Sequence, residues 1–325
     1  MSLGDMKVYQ DEIQTTTIEL LGQRVNDFVT SAGGAFTIDT SMWRGDFSSE
    51  AFFNQIAGAM RDVDRYAANG VVAPTALTQS EVGGVKVAGG FSALLEPSQM
   101  TYLMASPEAA IMAISDGFAN ALLAKYINQG LAAGVAAVEN QAALVNDVSA
   151  LTAGAGALTQ SALNGSHAKF GDMSGMLGAD FMSGAAYHKL IEKGLANGER
   201  LFEAGNVTVQ SILGKRVVVT DSPSLYVAGA PNKFKVLSLS AGGIIIDNTS
   251  DIITNLERSN GKDRIETTWQ ADFTYGVRVK GYKWDEANGG KSPTSAELAT
   301  GTNWDLGVAE IKHTAGTLAI ADADQ

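Results

Sequence analysis

The chain reads as an α+β protein with elongated elements, on three observations. Two stretches, near residues 11–29 and 106–145, place apolar residues at helical spacing. A third, Arg264 to Trp284, alternates over some twenty residues and fits one long strand or two consecutive ones. Gly-rich breaks separate these stretches, and a long helix beside long strands suggests an elongated platform.

From Asp11 to Val29, Ile13, Thr17, Leu20, Leu21, Val25 and Phe28 form one apolar stripe, and Gly33-Gly34 ends the helix. A short extended piece over 35–38 and a turn-rich Trp43 to Asp46 follow; Phe52, Phe53, Ile56, Met60 and Val63 then predict a second helix. Asn69 to Pro97 changes character. Val71, Val72, Pro74 and Thr78, followed by Glu81-Val82-Gly83-Gly84-Val85-Lys86-Val87-Ala88-Gly89-Gly90, read as two strands joined by a Gly turn. A Gly-rich ribbon of this kind is marginal alone and leans on a neighbour.

Ser106-Pro107-Glu108 combines a capping hydroxyl, a proline at the first helical position and an acid on the positive end of the dipole. Ile111, Ile114, Phe118, Ala121, Leu122 and Tyr126 form the stripe, and Ala-rich sequence continues past Gly130 and Gly134 toward Val145. Such a helix of roughly forty residues spans ~60 Å. Each glycine costs about 1 kcal/mol relative to alanine, which predicts a kink or break. Ser149 to Ser166, small and neutral, reads as a linker; beyond it lie a helix (Gly178 to Leu195) and strands at Val207–Val209, Arg216–Thr220, Phe234–Leu239 and Ile244–Ile246. In the Arg264–Trp284 run, Phe273, Tyr275, Val277 and Val279 face one side and Arg278 and Lys280 the other.

A chain of 325 residues buries a sizeable core and predicts two units, or one with excursions. Its 45% apolar and 18% charged residues, with 36 glycines, favour a neutral, close-packing surface. The net charge of -12 argues against a broad basic face for nucleic acid. With 0 cysteines, disulfides and thiolate metal sites are excluded. Met1 to Gln10 lacks the apolar segment of a secretory signal, and no run reaches ~18 consecutive apolar residues, so the expectation is synthesis in the cytosol and no membrane partner.

Catalytic equipment is not recognisable. The histidines, His167, His188 and His313, have no partner at metal-ligand spacing and read as structural or surface residues. No Gly-x-Ser-x-Gly elbow is present, Gly154-Ala155-Gly156 lacks the third glycine of a dinucleotide fingerprint, and Asp285 stands where a phosphate loop ending at Lys291-Ser292 needs its first glycine. The expectation is no catalytic, cofactor or metal residues and no enzyme. Arg44-Gly45-Asp46 is read as chance, and Trp269, Trp284 and Trp304 as core.

Several segments in order resemble the major capsid proteins of tailed bacteriophages. They are Phe52-Phe53-Asn54-Gln55-Ile56-Ala57, the Pro107 helix, Tyr187-His188-Lys189-Leu190, Leu213-Gly214-Lys215-Arg216-Val217-Val218-Val219, Trp269 to Trp284, and Thr294-Ser295-Ala296-Glu297-Leu298 through Asn303-Trp304. The resemblance implies the Hong Kong ninety-seven-type capsid fold. On it, residues 1–68 form an N-terminal arm and helices, 69–105 an extended β-hairpin loop, 106–148 and 262–325 a peripheral domain with a long spine helix, and 149–261 an axial domain. It implies a coat protein that self-assembles through hexamers and pentamers into an icosahedral shell, built in the host cytoplasm and enclosing double-stranded DNA without sequence-specific binding. A scaffolding protein, a portal and decoration proteins are the implied partners; with no coiled-coil segment ahead of Ser106, scaffolding comes from a separate protein or a removed segment. Some capsids of this type carry Lys-Asn cross-links, and no bonded pair is marked here.

Subunit-interface candidates are Val71, Val72, Val85, Val87 and Phe91 on the loop and Phe118, Leu122 and Tyr126 on the spine helix. Deleting 71–90 is expected to leave a folded protein that cannot assemble. An encapsulin-like compartment shares the implied fold, and a phage tail or decoration protein is a further structural alternative. A soluble hydrolase is the enzyme alternative, and a Ser-His-acid cluster in a pocket would reveal it.

Overall fold

The computed structural model describes residues 3–41, 43, 45–53, 62–68, 70–72, 74, 76–95, 107–152, 154–195, 210–212, 214–249, 251–260, 263 and 265–325. Arg44, Ile56, Met60, Ser106, Leu213 and the strand expected over 207–209 lie outside these residues, as do the side chains of Ile13 and Ile111.

The first helix, α1 (Leu3–Ser31), ends where expected: Gly33 and Gly34 take φ of 62° and 75°, a left-handed conformation that glycine adopts without steric cost. Arg216 NH1 donates to the Thr30 carbonyl at 2.8 Å, which sets a cation on the negative end of this helix. Strands β1 (Phe36–Thr40), β2 (Phe47–Phe53) and β3 (Gln79–Leu95) follow. Phe52 and Phe53 therefore belong to a strand and not to the expected helix; they pair with Ser80 and Gln79. The ribbon is also re-partnered, because β3 takes β2 as its neighbour while 71, 72 and 74 carry no strand.

The long helix α2 (Pro107–Glu139) is followed by β4 (Val145–Asp147), α3 (Gln160–His167), β5 (Leu177–Met182), α4 (Gly184–Leu195), β6 (Gln210–Ile212), β7 (Lys215–Val219), β8 (Tyr226–Val227) and β9 (Lys233–Ser240). Then come β10 (Ile244–Asn248), β11 (Ile253–Ser259), β12 (Glu266–Val279), β13 (Tyr282–Trp284), the one-turn helices α5 (Glu286–Gly289) and α6 (Ser295–Leu298), β14 (Trp304–Leu306) and β15 (Gly316–Asp322). The supposed linker at 149–166 contains α3 and buries Leu158 and Leu163, so small residues there serve packing and not flexibility. The helix expected from Gly178 is a strand up to Met182: Leu177 to Met182 is buried nearly throughout, Asp180 included, as a central strand requires.

One sheet of six strands runs β1-β10-β12-β3-β2, with β11 also paired to β12; a second of seven runs β4-β15-β9-β5-β7-β6, with β8 on β9. The division expected at 149 and 261 does not coincide with the sheets: β10 and β11 lie in the first and β15 in the second.

Helix α2 is continuous through both glycines and about 50 Å long. A Cβ on Gly130 would stand 2.6 Å from Phe36 Cζ, and one on Gly134 2.5 Å from Ile244 Cδ1. The glycines let the first sheet approach the helix, and the packing gained there outweighs their propensity cost. Nearer its start, Phe118, Leu122 and Tyr126 meet the aromatic face of β12: Phe118 lies 5.2 Å from Trp269 and Tyr126 4.8 Å from Tyr275, centroid to centroid. Burial pushes the Tyr126 and Tyr275 hydroxyls above the usual phenol range, so both stay neutral. Ala121, placed on the stripe from sequence, is exposed. Residues Met112–Glu139 are long and apolar enough to cross a membrane, yet 61% of that apolar window is buried inside the chain, where the sheets cover it.

Gly130→Ala is expected to destabilise the protein by about 1–3 kcal/mol through overpacking. Gly117→Ala, where a Cβ meets nothing within 4 Å, is expected to stabilise it by about 0.5–1 kcal/mol. Chemical denaturation of both variants checks the pair; a stabilised Gly130→Ala would mean that Phe36 does not sit against the helix.

Candidate assembly surface

The ladder between β3 and β12 runs from Leu95 opposite Thr267 to Val85 opposite Val277. Strand β2 takes over on the other side, from Phe47 opposite Val85 to Phe53 opposite Gln79. From Gly84 outward, β2 is therefore the strand that pairs with β3 among the described residues, and the two leave the sheet as a hairpin. Glycine is required at the exit, since a Cβ on Gly83 or Gly84 would stand 2.1 Å from the Ser48 or Val277 carbonyl oxygen. At the tip, every described residue between 62 and 78 is exposed, including Val63, Tyr66, Val71, Val72 and Leu77. Tyr66 is 92% exposed, so the lone chain gives its ring almost no packing.

The hairpin root is built around a buried carboxylate. Asp247 on β10 accepts from Arg278 Nε and NH2 at 2.6 and 2.8 Å and from the Trp43 indole at 2.9 Å. Trp43 lies against bare backbone: a Cβ on Gly276 would be 2.4 Å from its ring. Around this centre, Arg278 NH1 also reaches Glu50 at 3.4 Å, Lys283 reaches Glu81 at 2.8 Å and Lys291 reaches Asp46 at 3.3 Å. The Lys283 hydrogen bond and charge hold the Glu81 carboxyl below its ordinary range, and the same bond raises Lys283.

The expected interface residues separate into two groups. Val71 and Val72 are exposed and Phe91 is half-buried against Phe118 and Trp269, at 5.0 and 5.7 Å. Val85, Val87, Phe118, Leu122 and Tyr126 are instead core, at most 2% exposed, and offer no surface to a second subunit. A helical stripe or an alternating strand marks a face that must be covered without saying whether the cover is the same chain or another. Deleting 71–90 would accordingly remove Val85 and Val87 from the core, and would unfold the sheet instead of isolating the loop. Sequence reasoning missed Tyr66 and Leu77; their signal was apolar residues with neither helical nor strand period.

A Ser-His-acid cluster does exist: His167 Nε2 lies 3.0 Å from Asp180 Oδ1 and 3.1 Å from Ser238 Oγ. A relay needs serine and carboxylate on opposite ring nitrogens, whereas here one nitrogen meets both, and all three side chains are buried. The cluster joins α3 to two strands of the second sheet. Among the described residues no group of three or more His, Cys, Asp or Glu could hold a metal ion.

A family model described as "Major capsid protein 13-like" matches residues 5–318. Among solved structures, the chain is similar to a chain of the cyanophage Pam1 capsid asymmetric unit, with 12% identity, TM-score 0.52 and coverage of 89% of this chain and 88% of that one. It is similar in the same way to a chain of Mycobacterium phage Cain, with 11% identity, TM-score 0.52 and coverage of 90% and 89%. A weaker likeness, TM-score 0.49 at 10% identity over 88% and 86% of the chains, is to an encapsulin complex from Synechococcus elongatus. No curated protein matches the sequence.

Arg278→Ala, which strands the buried Asp247 charge, is expected to cost about 3–5 kcal/mol in urea unfolding. Lys291→Ala, which removes an exposed partner, should cost less than about 1 kcal/mol. Equal losses in the two variants would contradict this assignment.

Proposed function

Because the chain belongs to the major capsid protein 13-like family and has the tailed-phage capsid fold, and is therefore a coat subunit that assembles with its own copies into the virion shell, we propose how its parts divide that task. The hairpin of β2 and β3 with its tip is the extended loop, and it lies across a neighbouring subunit. The exposed apolar tip carries this reading: Val63, Tyr66, Val71, Val72 and Leu77 hold area that a monomer leaves in water and a neighbour would bury. The first sheet with α2 is the peripheral tile. The second sheet, residues 142–240 together with β15, is the axial unit whose loops close hexamers and pentamers of an icosahedral shell.

The charge of -12 supports a wall that holds double-stranded DNA without gripping it, since few phosphates would be neutralised. On this reading assembly takes place in the host cytoplasm at a portal, guided by a scaffold that is either a separate protein or a removed segment, with decoration proteins as further candidate partners. The family, defined by its coat role, favours the phage capsid over an encapsulin compartment.

Replacing Val63, Tyr66, Val71, Val72 and Leu77 together by serine is expected to leave the thermal midpoint of the unassembled subunit unchanged and to abolish closed shells. Sedimentation velocity and negative-stain microscopy read the outcome. Shells at the parental yield would refute the loop assignment.

A further inference from the structure

We propose that a charge-segregated latch at the hairpin root sets the angle at which the loop leaves the body, with Lys283, Arg278 and Lys291 as its positioning residues. Three observations converge on it. The first is that backbone pairing to the body stops at Val85, so from Gly84 outward the hairpin is a two-stranded ribbon. A two-stranded ribbon is marginal alone; Gly83 and Gly84 are packed tightly at its root and Gly307 of the body lies against the Glu81 carbonyl, so contacts at the root decide the direction in which it leaves.

The second is the sorting of charge. Asp46, Glu50 and Glu81, the acids that flank the root, each meet a cation of the body: Lys291, Arg278 and Lys283. Glu50 and Glu81 stand on different strands of the hairpin, so the pairs restrain it from both strands. Arg278 is itself clamped by the buried Asp247 and is therefore a rigid post. Each exposed pair contributes little to folding, but pairs that close only at one hinge angle select that angle.

The third is room to bend. A crevice of about 150 Å³ separates Ser48, Glu50 and Val82 on the hairpin from Ile245, Arg278 and Lys280 on the body. On the proposed latch, this crevice is the space into which the ribbon would swing once the ion pairs open. The inference rests on the proposed role of the loop, because an exit angle matters for assembly only if the tip must find a site on a neighbour.

The test is a charge swap. The chain has 0 cysteines, so spin labels on Ala76→Cys and Lys169→Cys report the distance from tip to body in labelled subunits diluted into unlabelled ones. Lys283→Glu should broaden that distance distribution and lower shell yield about fivefold, the scale of one surface pair. Glu81→Lys combined with Lys283→Glu should restore both, and a second swap, Asp46→Lys with Lys291→Asp, repeats the measurement independently. Raising salt to about 1 M, where the screening length falls to about 3 Å, should broaden the parental distribution in the same way. An unchanged distribution in Lys283→Glu, or a swap as impaired as the single variant, would overturn the latch. A broadened distribution with normal shell yield would keep the latch and instead refute the loop's role in assembly.

Discussion

The close seat of α2 on the first sheet is the constraint on which the rest of the molecule depends. Along its first half the helix is held by aromatic rings, with Phe118 and Tyr126 meeting Trp269, Phe273 and Tyr275. Along its second half Gly130 and Gly134 remove side chains so that Phe36 and Ile244 reach the helix backbone, and Gly134 also faces Leu237 of the second sheet. One helix therefore binds both sheets through a graded contact, bulky at one end and bare at the other. Interiors pack at crystal-like density, so such a joint transmits force and does not slide.

Exposed apolar side chains are scattered over the body, Ile18, Met112 and Ile253 among them, whereas at the hairpin tip Val63, Tyr66, Val71, Val72 and Leu77 fall within one short segment, which is why the tip is the proposed contact. Each exposed aliphatic or aromatic residue at the tip is area that burial stabilises by about 25 cal/mol per Å² once a neighbour covers it. On the proposed loop contact, a shell would repeat that gain through every copy, so a modest gain per loop would add up across the lattice. The chain has 0 cysteines, so disulfides play no part in it.

Much of this was legible in the sequence, and the failures have a common cause. The Gly33-Gly34 stop, the β12 alternation and the reach of α2 followed from local rules, because glycine conformation and side-chain period act within a few residues. The motif Thr294 to Trp304 that carried the family resemblance is a folding unit: Thr294 and Glu297 form a capping box, and Trp304 donates its indole hydrogen to Leu298. What local rules could not show was partnership. The glycines of α2 predicted a break because the strand side chains that fill their places are a hundred residues away. Phe52-Phe53 fits a helix or a strand, and only pairing with β3 decides. Five of the interface candidates are core for the same reason: Val85, Val87, Phe118, Leu122 and Tyr126 needed cover and found it at home, while Val71 and Val72 are exposed. The ion pairs at the hairpin root join residues some two hundred positions apart, Glu81 to Lys283 among them, and no spacing announces them.

The central claim is that the body is complete in one chain while the hairpin tip is completed by another. Hydrogen exchange on the same preparation before and after assembly tests it most directly. The account predicts that amides between 62 and 78 exchange freely in the subunit and become protected in the shell, while those of α2 from 122 to 138 are slow in both. Free exchange of the tip in intact shells, with new protection confined to other surfaces, would contradict it.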